Sequence, residues 1–254
     1  MSNLYSLGID VGSTTVKTVI TDSNKNIIYS KYQRHFSKVK ETVTDQLKLI
    51  RADFPDEKFT VCITGSAGLG LANSAEIPFV QEVHAAFLAV KQKHPDADSV
   101  IELGGEDAKI IFLTGGVEQR MNGSCAGGTG AFIDQMATLL GITADELDEL
   151  SLHAQKVYPI ASRCGVFAKS DIQPLLNQGA RREDIAASIF QAVVDQTVSG
   201  LAQGRSIEGK VLFLGGPLFF LKGLKKAFVK TLGLDDENAV FPDEAPVFVA
   251  YGCS

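Results

Sequence analysis

The 254-residue sequence has no tryptophan, only four cysteines, and no apolar run that approaches the ~20 residues needed to span a bilayer. The cysteines Cys62, Cys125, Cys164 and Cys253 are too few and too scattered for a disulfide framework, and no two have CxxC spacing. The N-terminal letters MSNLYSLGID lack the apolar core of a signal peptide. We therefore expect a cytoplasmic globular protein with no membrane partner, in which any role of a cysteine is local.

An excess of basic charge is also missing. The 24 Lys and Arg residues are outnumbered by 30 Asp and Glu residues, which gives a formal net charge of −6. Such a chain has no general attraction for phosphate backbones, so we expect no nucleic-acid partner. Hydrophobic residues make up 45% of the sequence, enough to bury the core of one or two domains at ~150 residues per domain.

Short apolar runs alternate with helical patterns along the chain. Three runs near the N-terminus follow one another at hairpin spacing, and a strand pattern starts again after the polar HPDADS at 94–99. Strands joined by helices predict an α/β fold with a largely covered sheet. We expect two domains, residues 1–95 and residues 96–254.

Some local predictions are specific enough to be checked. A helix is predicted from Lys38 to Ala52, with Val39, Val43, Leu47 and Ile50 on one face. A single helix is predicted from Asp184 to Gln203.

The starts of the two halves can be overlaid without gaps. Ile9 to Lys17 (IDVGSTTVK) lies over Ile101 to Lys109 (IELGGEDAK). Both segments read apolar, acid, apolar, glycine, small or polar residues, then lysine. This match indicates a duplicated unit, in which a strand ends in a carboxylate, turns at glycine and returns as a second strand.

The chemistry of this turn suits a polyphosphate. Glycine lets backbone N–H groups approach an anion closely, as expected at Gly12, Gly104 and Gly105. The further donors expected at the first turn are Ser13, Thr14, Thr15 and Lys17. The acids Asp10 and Glu102 would repel phosphate unless Mg²⁺ lies between them. Either turn alone could be an ordinary hairpin with an exposed acid, but the matching pair favours binding of phosphate and Mg²⁺.

A third glycine turn, formed by Gly215, Gly216 and Pro217, ends a predicted strand and precedes a helix. This geometry can receive an adenosine group against the backbone. The sequence has no GxxxxGK[ST], which excludes a P-loop, and its GGTG at 127–130 lacks the preceding strand of a Rossmann fingerprint.

These three elements, in this order, resemble those of the acetate and sugar kinase, Hsp70 and actin superfamily. That resemblance implies two ribonuclease-H-like domains with a nucleotide cleft between them. The segments NGSCAGGTG (122–130) and ASRCGVFAKSD (161–171) are more specific. They resemble the two cysteine motifs of the activators of 2-hydroxyacyl-CoA dehydratases, in the BadF/BadG/BcrA/BcrD ATPase family, and the resemblance extends over residues 4–252.

The resemblance implies an ATP-driven donor of single electrons. In such a homodimer one [4Fe–4S] cluster is ligated by two cysteines of each subunit, here Cys125 and Cys164. ATP hydrolysis to ADP, with Mg²⁺, would drive an electron from ferredoxin or flavodoxin onto a dehydratase, or onto an enzyme like benzoyl-CoA reductase. Matched by position, the first phosphate motif comprises Asp10, Gly12, Ser13, Thr14 and Lys17, the second Gly104, Gly105 and Asp107, and the adenosine motif Gly215 and Gly216.

The residues around the two cysteines support this interpretation. Both cysteines precede predicted helices, where the dipole and free N–H groups stabilise thiolates. A cubane takes four cysteine ligands, so two ligands per chain point to a dimer with a two-fold axis. Cys62, inside the strand TVCIT, fits the commoner role of a small buried apolar residue.

The sequence departs from the family pattern in two places. The family's DxGGQD is here Glu102–Asp107 (ELGGED), so glutamates replace an aspartate and a glutamine. Glu102 can still hold Mg²⁺ through water, and Glu106 is expected near the attacking water, so we assign catalysis to Asp10, Glu106 and Asp107. After a strand at Val247 to Ala250 the family's closing helix is absent, which predicts truncation of a longer chain and an exposed apolar groove on the first domain.

Two other functions remain open at this point. A sugar-type or acetate-type kinase would share the ATP site and phosphorylate an acceptor, but it has no need for the cysteine pair. A nucleotide-binding regulator would retain ATP and hydrolyse it slowly.

Overall fold

The computed structural model describes residues 4–122 and 127–254, and they form two compact units. The first unit comprises the chain up to Pro95 together with Pro246–Ser254, and the second comprises Asp96–Ala245. Residues 246–254, which were predicted to lie in the second domain, belong to the first unit instead. They join the first unit because Phe248, Val249, Ala250, Tyr251 and Cys253 are buried there.

The first unit is built on a four-stranded sheet with the order β3-β2-β1-β4. Its strands are β1 (Leu4–Val11), β2 (Thr15–Thr21), β3 (Ile27–Arg34) and β4 (Lys58–Thr64). The first three form an antiparallel meander, and β4 pairs with β1 in parallel. Parallel pairing requires a crossover, which α1 (Val39–Asp53) supplies.

The other helices of the first unit are α2 (Leu69–Ala75), α3 (Glu82–Lys93) and α10 (Phe248–Cys253). Helix α1 begins and ends within one residue of its predicted bounds, but its buried face is Thr42, Val43, Gln46 and Ile50. Leu47, predicted on the same face as Val43 and Ile50, is 38% exposed and does not belong to this buried face.

Helix α10 occupies the place where a strand and an open groove were expected. It packs on α3 and β1. Two glycines allow this close approach: a Cβ on Gly8 would lie 2.0 Å from the carbonyl oxygen of Ala250, and one on Gly252 would lie 1.8 Å from that of Ala85. The apolar run FVAY at 248–251 is therefore helical, and it is buried through close backbone contacts with β1 and α3.

The second unit is built on a five-stranded sheet with the order β7-β6-β5-β8-β9. Its strands are β5 (Ser99–Leu103), β6 (Ala108–Phe112), β7 (Glu118–Met121), β8 (Val211–Leu214) and β9 (Ala239–Val240). Strands β5, β6 and β7 form an antiparallel meander, and β8 pairs with β5 in parallel. This repeats the arrangement of β1 to β4, as a duplicated unit requires.

The helices of the second unit are α4 (Gly130–Leu139), α5 (Ala144–Ser151), α6 (Gly165–Asn177), α7 (Arg182–Asp195), α8 (Gly216–Phe220) and α9 (Lys222–Leu232). The predicted single helix to Gln203 is interrupted, because the chain widens into a π-helical turn at Gln196–Leu201. Such turns frequently occur at functional sites. In the part of the chain that the structure describes, no helix has both the length and the apolar composition to cross a bilayer.

Candidate functional site

The first glycine turn joins β1 to β2. The backbone N–H of Gly12 donates to the carbonyl oxygen of Thr15 at 2.9 Å and closes the turn. Asp10 and Lys17 face each other across the two strands, and the Lys17 Nζ lies 2.8 Å from the Asp10 Oδ2. The hairpin thus brings an acid and a base together at the edge of the turn.

The carboxylate of Asp10 is buried, with 3% of the residue exposed. Its second oxygen, Oδ1, is also buried and has no hydrogen-bond partner among the described residues. Gly65, just after β4, leaves room for it: a Cβ there would lie 2.4 Å from this oxygen. A buried carboxylate oxygen without a hydrogen-bond partner costs free energy unless a bound ligand satisfies it. Carboxylate oxygens are also the kind of metal ligand that Mg²⁺ prefers.

The second glycine turn, between β5 and β6, repeats this geometry. The N–H of Gly104 donates to the carbonyl oxygen of Asp107 at 2.8 Å. Glu102 and Lys109 face each other, with Lys109 Nζ 4.0 Å from Glu102 Oε1 and 3.9 Å from Asp107 Oδ2. The Oε2 of Glu102 is buried and, like the Oδ1 of Asp10, lacks a hydrogen-bond partner in the described structure.

The other predicted site residues vary in exposure. Gly12, Ser13, Thr14, Gly104, Gly105 and Asp107 are half-buried, as are Gly215 and Pro217, while Thr15 and Gly216 are buried. Glu106 is exposed at the tip of the second turn. The roles assigned to these residues stay predictions.

The third glycine turn follows β8. Gly215 has φ +92°, and a Cβ on it would lie 2.0 Å from the carbonyl oxygen of Leu103, so this position requires glycine. Gly65 follows β4 in the same way, with φ +95° and a Cβ position 2.4 Å from the carbonyl oxygen of Val11. Val11 and Leu103 correspond in the overlay, so the duplication includes this glycine.

The start of α4 is hydrogen-bonded to the second turn. The N–H groups of Gly130 and Ala131 donate to the carbonyl oxygens of Gly104 and Gly105, at 3.0 and 2.7 Å. A Cβ on Gly130 would also lie 3.3 Å from the Cγ of Pro217. The second and third turns and the first residues of α4 are therefore packed against one another.

The two cysteine segments meet close by. Cys125 lies outside the described residues, but Gly127 packs on the second segment: a Cβ on it would lie 2.6 and 2.7 Å from the carbonyl oxygens of Arg163 and Ser162. Cys164 is a free, half-buried thiol at the N-cap of α6. The sequence analysis placed both cysteines at helix N-termini, yet α4 is capped by Thr129, four residues after Cys125.

The π-helical turn supports both segments. The side chain of Gln196 lies against Gly128, with its Cγ 3.1 Å from a Cβ placed there, and the Ser162 hydroxyl lies 3.5 Å from its Oε1. Within the described ranges, no group of three or more His, Cys, Asp or Glu side chains is arranged to hold a metal ion.

Sequence reasoning missed Gly65 and Gln196. The sequence overlay of the two halves covers residues 9–17 and 101–109, and both Gly65 and Gly215 lie outside it. Nothing in the sequence marks Gln196, because its neighbours come from distant segments.

A sheet that starts with an acid-and-glycine hairpin, and that occurs once in each of two units, is the architecture of actin-like ATPases. The predicted fold class is thereby confirmed. Within that class, the chain belongs to the BadF/BadG/BcrA/BcrD ATPase family, whose model matches residues 7–240. The family resemblance proposed from the cysteine segments is therefore also confirmed.

Known relatives agree with this assignment. The chain is 32% identical over 219 residues to the (R)-2-hydroxyglutaryl-CoA dehydratase activating ATPase of Acidaminococcus fermentans, covering 84% of this chain and 83% of the relative. The crystal structure of component A of that organism's dehydratase superposes with a TM-score of 0.85 at 28% identity, covering 98% of this chain and 96% of the other. The activator of 2-hydroxyisocaproyl-CoA dehydratase from Clostridium difficile, solved with ADPNP, gives a TM-score of 0.81 at 29% identity, covering 98% and 92%.

Proposed function

We propose that this protein is an ATP-dependent activator that passes single electrons to a 2-hydroxyacyl-CoA dehydratase or a related acyl-CoA reductase. The observation that carries the proposal is the backbone contact of Gly127 with Ser162 and Arg163. This contact brings the Cys125 and Cys164 segments together in the unit that also contains the second glycine turn, at Gly104 and Gly105. A kinase of the same fold has no chemical use for such a pair.

In this proposal, the glycine turn of each unit is a phosphate-binding element for Mg²⁺-ATP. Asp10 and Glu102 are assigned as carboxylates for Mg²⁺, which offsets the charge of phosphates and satisfies a buried oxygen that has no partner in the described structure. Lys17 and Lys109 balance the carboxylates when the cation leaves. Glu106 and Asp107 lie on the second turn, and Glu106, which is exposed, is assigned to orienting the attacking water.

The thiols fit a [4Fe–4S] cluster in type and number. Such a cluster takes four cysteine thiolates and supplies one-electron chemistry. Cys125 and Cys164 give two ligands per chain, so a homodimer completes the set. The apolar side chains of Val166 and Phe167, separated from Cys164 by Gly165, are 68% and 65% exposed, which suits burial against a second copy. Ferredoxin or flavodoxin is the proposed donor.

We infer that bound ATP is connected mechanically to the cysteine segments. Phosphate binding at Gly104 and Gly105 acts on carbonyls that hold the first N–H groups of α4. The residues just before α4 carry Gly127, whose backbone contacts the Cys164 segment. A shift of the second turn on hydrolysis would therefore change the contact between Gly127 and the Cys164 segment.

The cluster is tested by anaerobic reconstitution of the full chain, with iron, sulfide and molar mass measured together. We expect about four irons per dimer in the wild type. Cys164→Ser should lose most of the iron, while Cys62→Ser, which removes a half-buried thiol on β4, should retain it. A colourless wild-type protein, or equal iron in the two variants, would overturn the proposal. ATP-dependent phosphorylation of an added sugar or carboxylate would favour a kinase instead.

A further inference from the structure

A buried histidine lies behind the first glycine turn. His35 follows β3 directly, and only 6% of the residue is exposed. Its backbone N–H donates to the carbonyl oxygen of Thr14 at 3.1 Å, and its ring Nε2 lies 3.2 Å from the carbonyl oxygen of Gly12. One residue therefore contacts two of the three carbonyls between Gly12 and Thr14.

The hydrogen bonds around the ring determine which nitrogen carries the proton. The backbone N–H of Ser37 donates to the Nδ1 of His35 at 3.1 Å, so Nδ1 is the acceptor. The proton then belongs on Nε2, which donates to the carbonyl oxygen of Gly12. The backbone carbonyl of His35 accepts from the N–H of Lys38 at 2.7 Å, so every polar group of the residue is used.

The chain adopts an uncommon conformation to make these contacts. Phe36 has φ +46° and Ser37 has φ +65°, so two consecutive non-glycine residues lie in the left-handed region. The Phe36 side chain is 77% exposed, so its burial does not offset this strain. The conformation does bring the Ser37 N–H to the ring, and strain of this kind concentrates at functional sites.

These contacts matter for anion binding because carbonyl oxygens repel phosphate oxygens. In the first turn, Gly12 and Thr14 direct their carbonyls to His35, and the carbonyl of Thr15 accepts from Gly12. A turn whose carbonyls are held in this way can offer its N–H groups and hydroxyls to a phosphate.

We propose that His35 is a positioning residue of the nucleotide site, which holds the carbonyls of Gly12 and Thr14 away from the bound phosphates. The inference rests on the proposed binding of Mg²⁺-ATP at this turn. His35 itself touches no phosphate, and its effect is to preorganise the groups that do.

Two substitutions separate this role from simple packing. His35→Gln can place an amide N–H where the ring Nε2 lies, whereas the shorter side chain in His35→Asn reaches only the position of Nδ1. We expect His35→Gln to bind Mg²⁺-ADPNP within about twofold of the wild type, and His35→Asn to bind roughly tenfold more weakly, the effect of losing one well-placed hydrogen bond. In hydrolysis assays, His35→Asn should raise KM more than it lowers kcat.

The matched control is His94→Asn, the same change at a half-buried histidine of the first unit that stacks on Phe248. It should leave the affinity for Mg²⁺-ADPNP unchanged even if it lowers the melting temperature. Equal losses in His35→Gln and His35→Asn, or no loss in either, would overturn the role of His35. If His35→Asn does not fold, a loss above threefold in His35→Gln is enough to reject it. Failure of the wild type to bind Mg²⁺-ADPNP would count against the proposed function instead.

Discussion

At the scale of single residues, the two turns share one chemical device. In each, a lysine neutralises a buried carboxylate across a hairpin, and one carboxylate oxygen is left without a partner among the described residues. A glycine at positive φ, Gly65 or Gly215, lets the chain pass the end of the acid-bearing strand. The site therefore depends on the charged side chains and also on these two glycines, whose lack of a side chain leaves room for the neighbouring backbone.

Gly65→Ala tests this device. The new methyl group would lie 2.4 Å from both Asp10 Oδ1 and the carbonyl oxygen of Val11, at a φ that disfavours alanine. We expect a loss of ~1–3 kcal/mol in the free energy of unfolding and a clear loss of Mg²⁺-ADPNP affinity. The control is Gly70→Ala, in α2, where the methyl group meets nothing within 4 Å and stability should stay the same or rise by up to ~1 kcal/mol. Unchanged affinity in Gly65→Ala would contradict the account.

A second residue-scale prediction concerns pH. Burial raises the pKa of the Cys253 thiol, and the neighbouring Cys62 thiol and Asp10 carboxylate raise it further. A group with a higher pKa in the folded state gives stability that is complete below its unfolded pKa of ~8.5 and is lost as pH rises above it.

The denaturation midpoint of the wild type should therefore fall more between pH 8 and 10 than that of Cys253→Ala. Parallel curves for the wild type and Cys253→Ala would show that the Cys253 thiol ionises in the folded protein as it does in the unfolded chain.

At the scale of elements, the turn between β5 and β6 in the second unit is hydrogen-bonded to the first residues of α4. Two N–H groups of α4 bond to the Gly104 and Gly105 carbonyls, and the residues before α4 touch the segment that caps α6. The π-helical turn closes this arrangement through Gln196. In the proposed mechanism, movement of the turn would be transmitted by backbone contacts, which deform less than contacts between side chains.

Gly127→Ala tests the junction between the two cysteine segments. Its methyl group would meet the carbonyl oxygens of Ser162 and Arg163 at 2.6–2.7 Å, so the segments must separate. After anaerobic reconstitution we expect a severalfold loss of iron. The affinity for Mg²⁺-ADPNP should stay at the wild-type value, which would show that the variant is folded. Full iron content in this variant would mean that the contact is not needed for the cluster. Gly70→Ala is the control for both measurements.

At the scale of the whole molecule, residues that are far apart in the sequence belong to the same unit. Pro246–Ser254 belongs with the residues up to Pro95, although the intervening residues form the second unit. Helix α10 packs on β1 and α3, and Thr21 donates a hydrogen bond to Ser254. The packing of the first unit therefore depends on residues 246–254 as well as on the residues up to Pro95.

Gly8→Ala tests this closure. The methyl group would lie 2.0 Å from the Ala250 carbonyl oxygen, and overpacking of this kind costs ~1–3 kcal/mol. In hydrogen exchange we expect faster exchange in β1, β4 and α3, with α5 and α7 unaffected. Leu4→Ala, at an exposed position of the same strand, should change nothing. Uniform acceleration over both units would argue against a local role of α10.

Much of the site was readable from the sequence because hairpins are local. Asp10 and Lys17 are seven residues apart, as are Glu102 and Lys109, so strand alternation and a short turn suffice to pair them. The same local rule failed at Leu47, where packing on β2 selected other residues for the buried face of α1. It failed again after Asp195, where a π-helical turn replaces the regular helix.

The sequence by itself determined the α/β class, the duplicated glycine turns and the family, since each depends on neighbouring residues or on a pattern of them. Only the tertiary structure decided that Gly65 makes room for Asp10, that His35 holds the first turn, that α10 covers β1, and that Gly127 meets the Cys164 segment. These contacts join residues from 21 to more than 200 positions apart. They arise from the packing of whole elements, which local propensity and spacing do not encode.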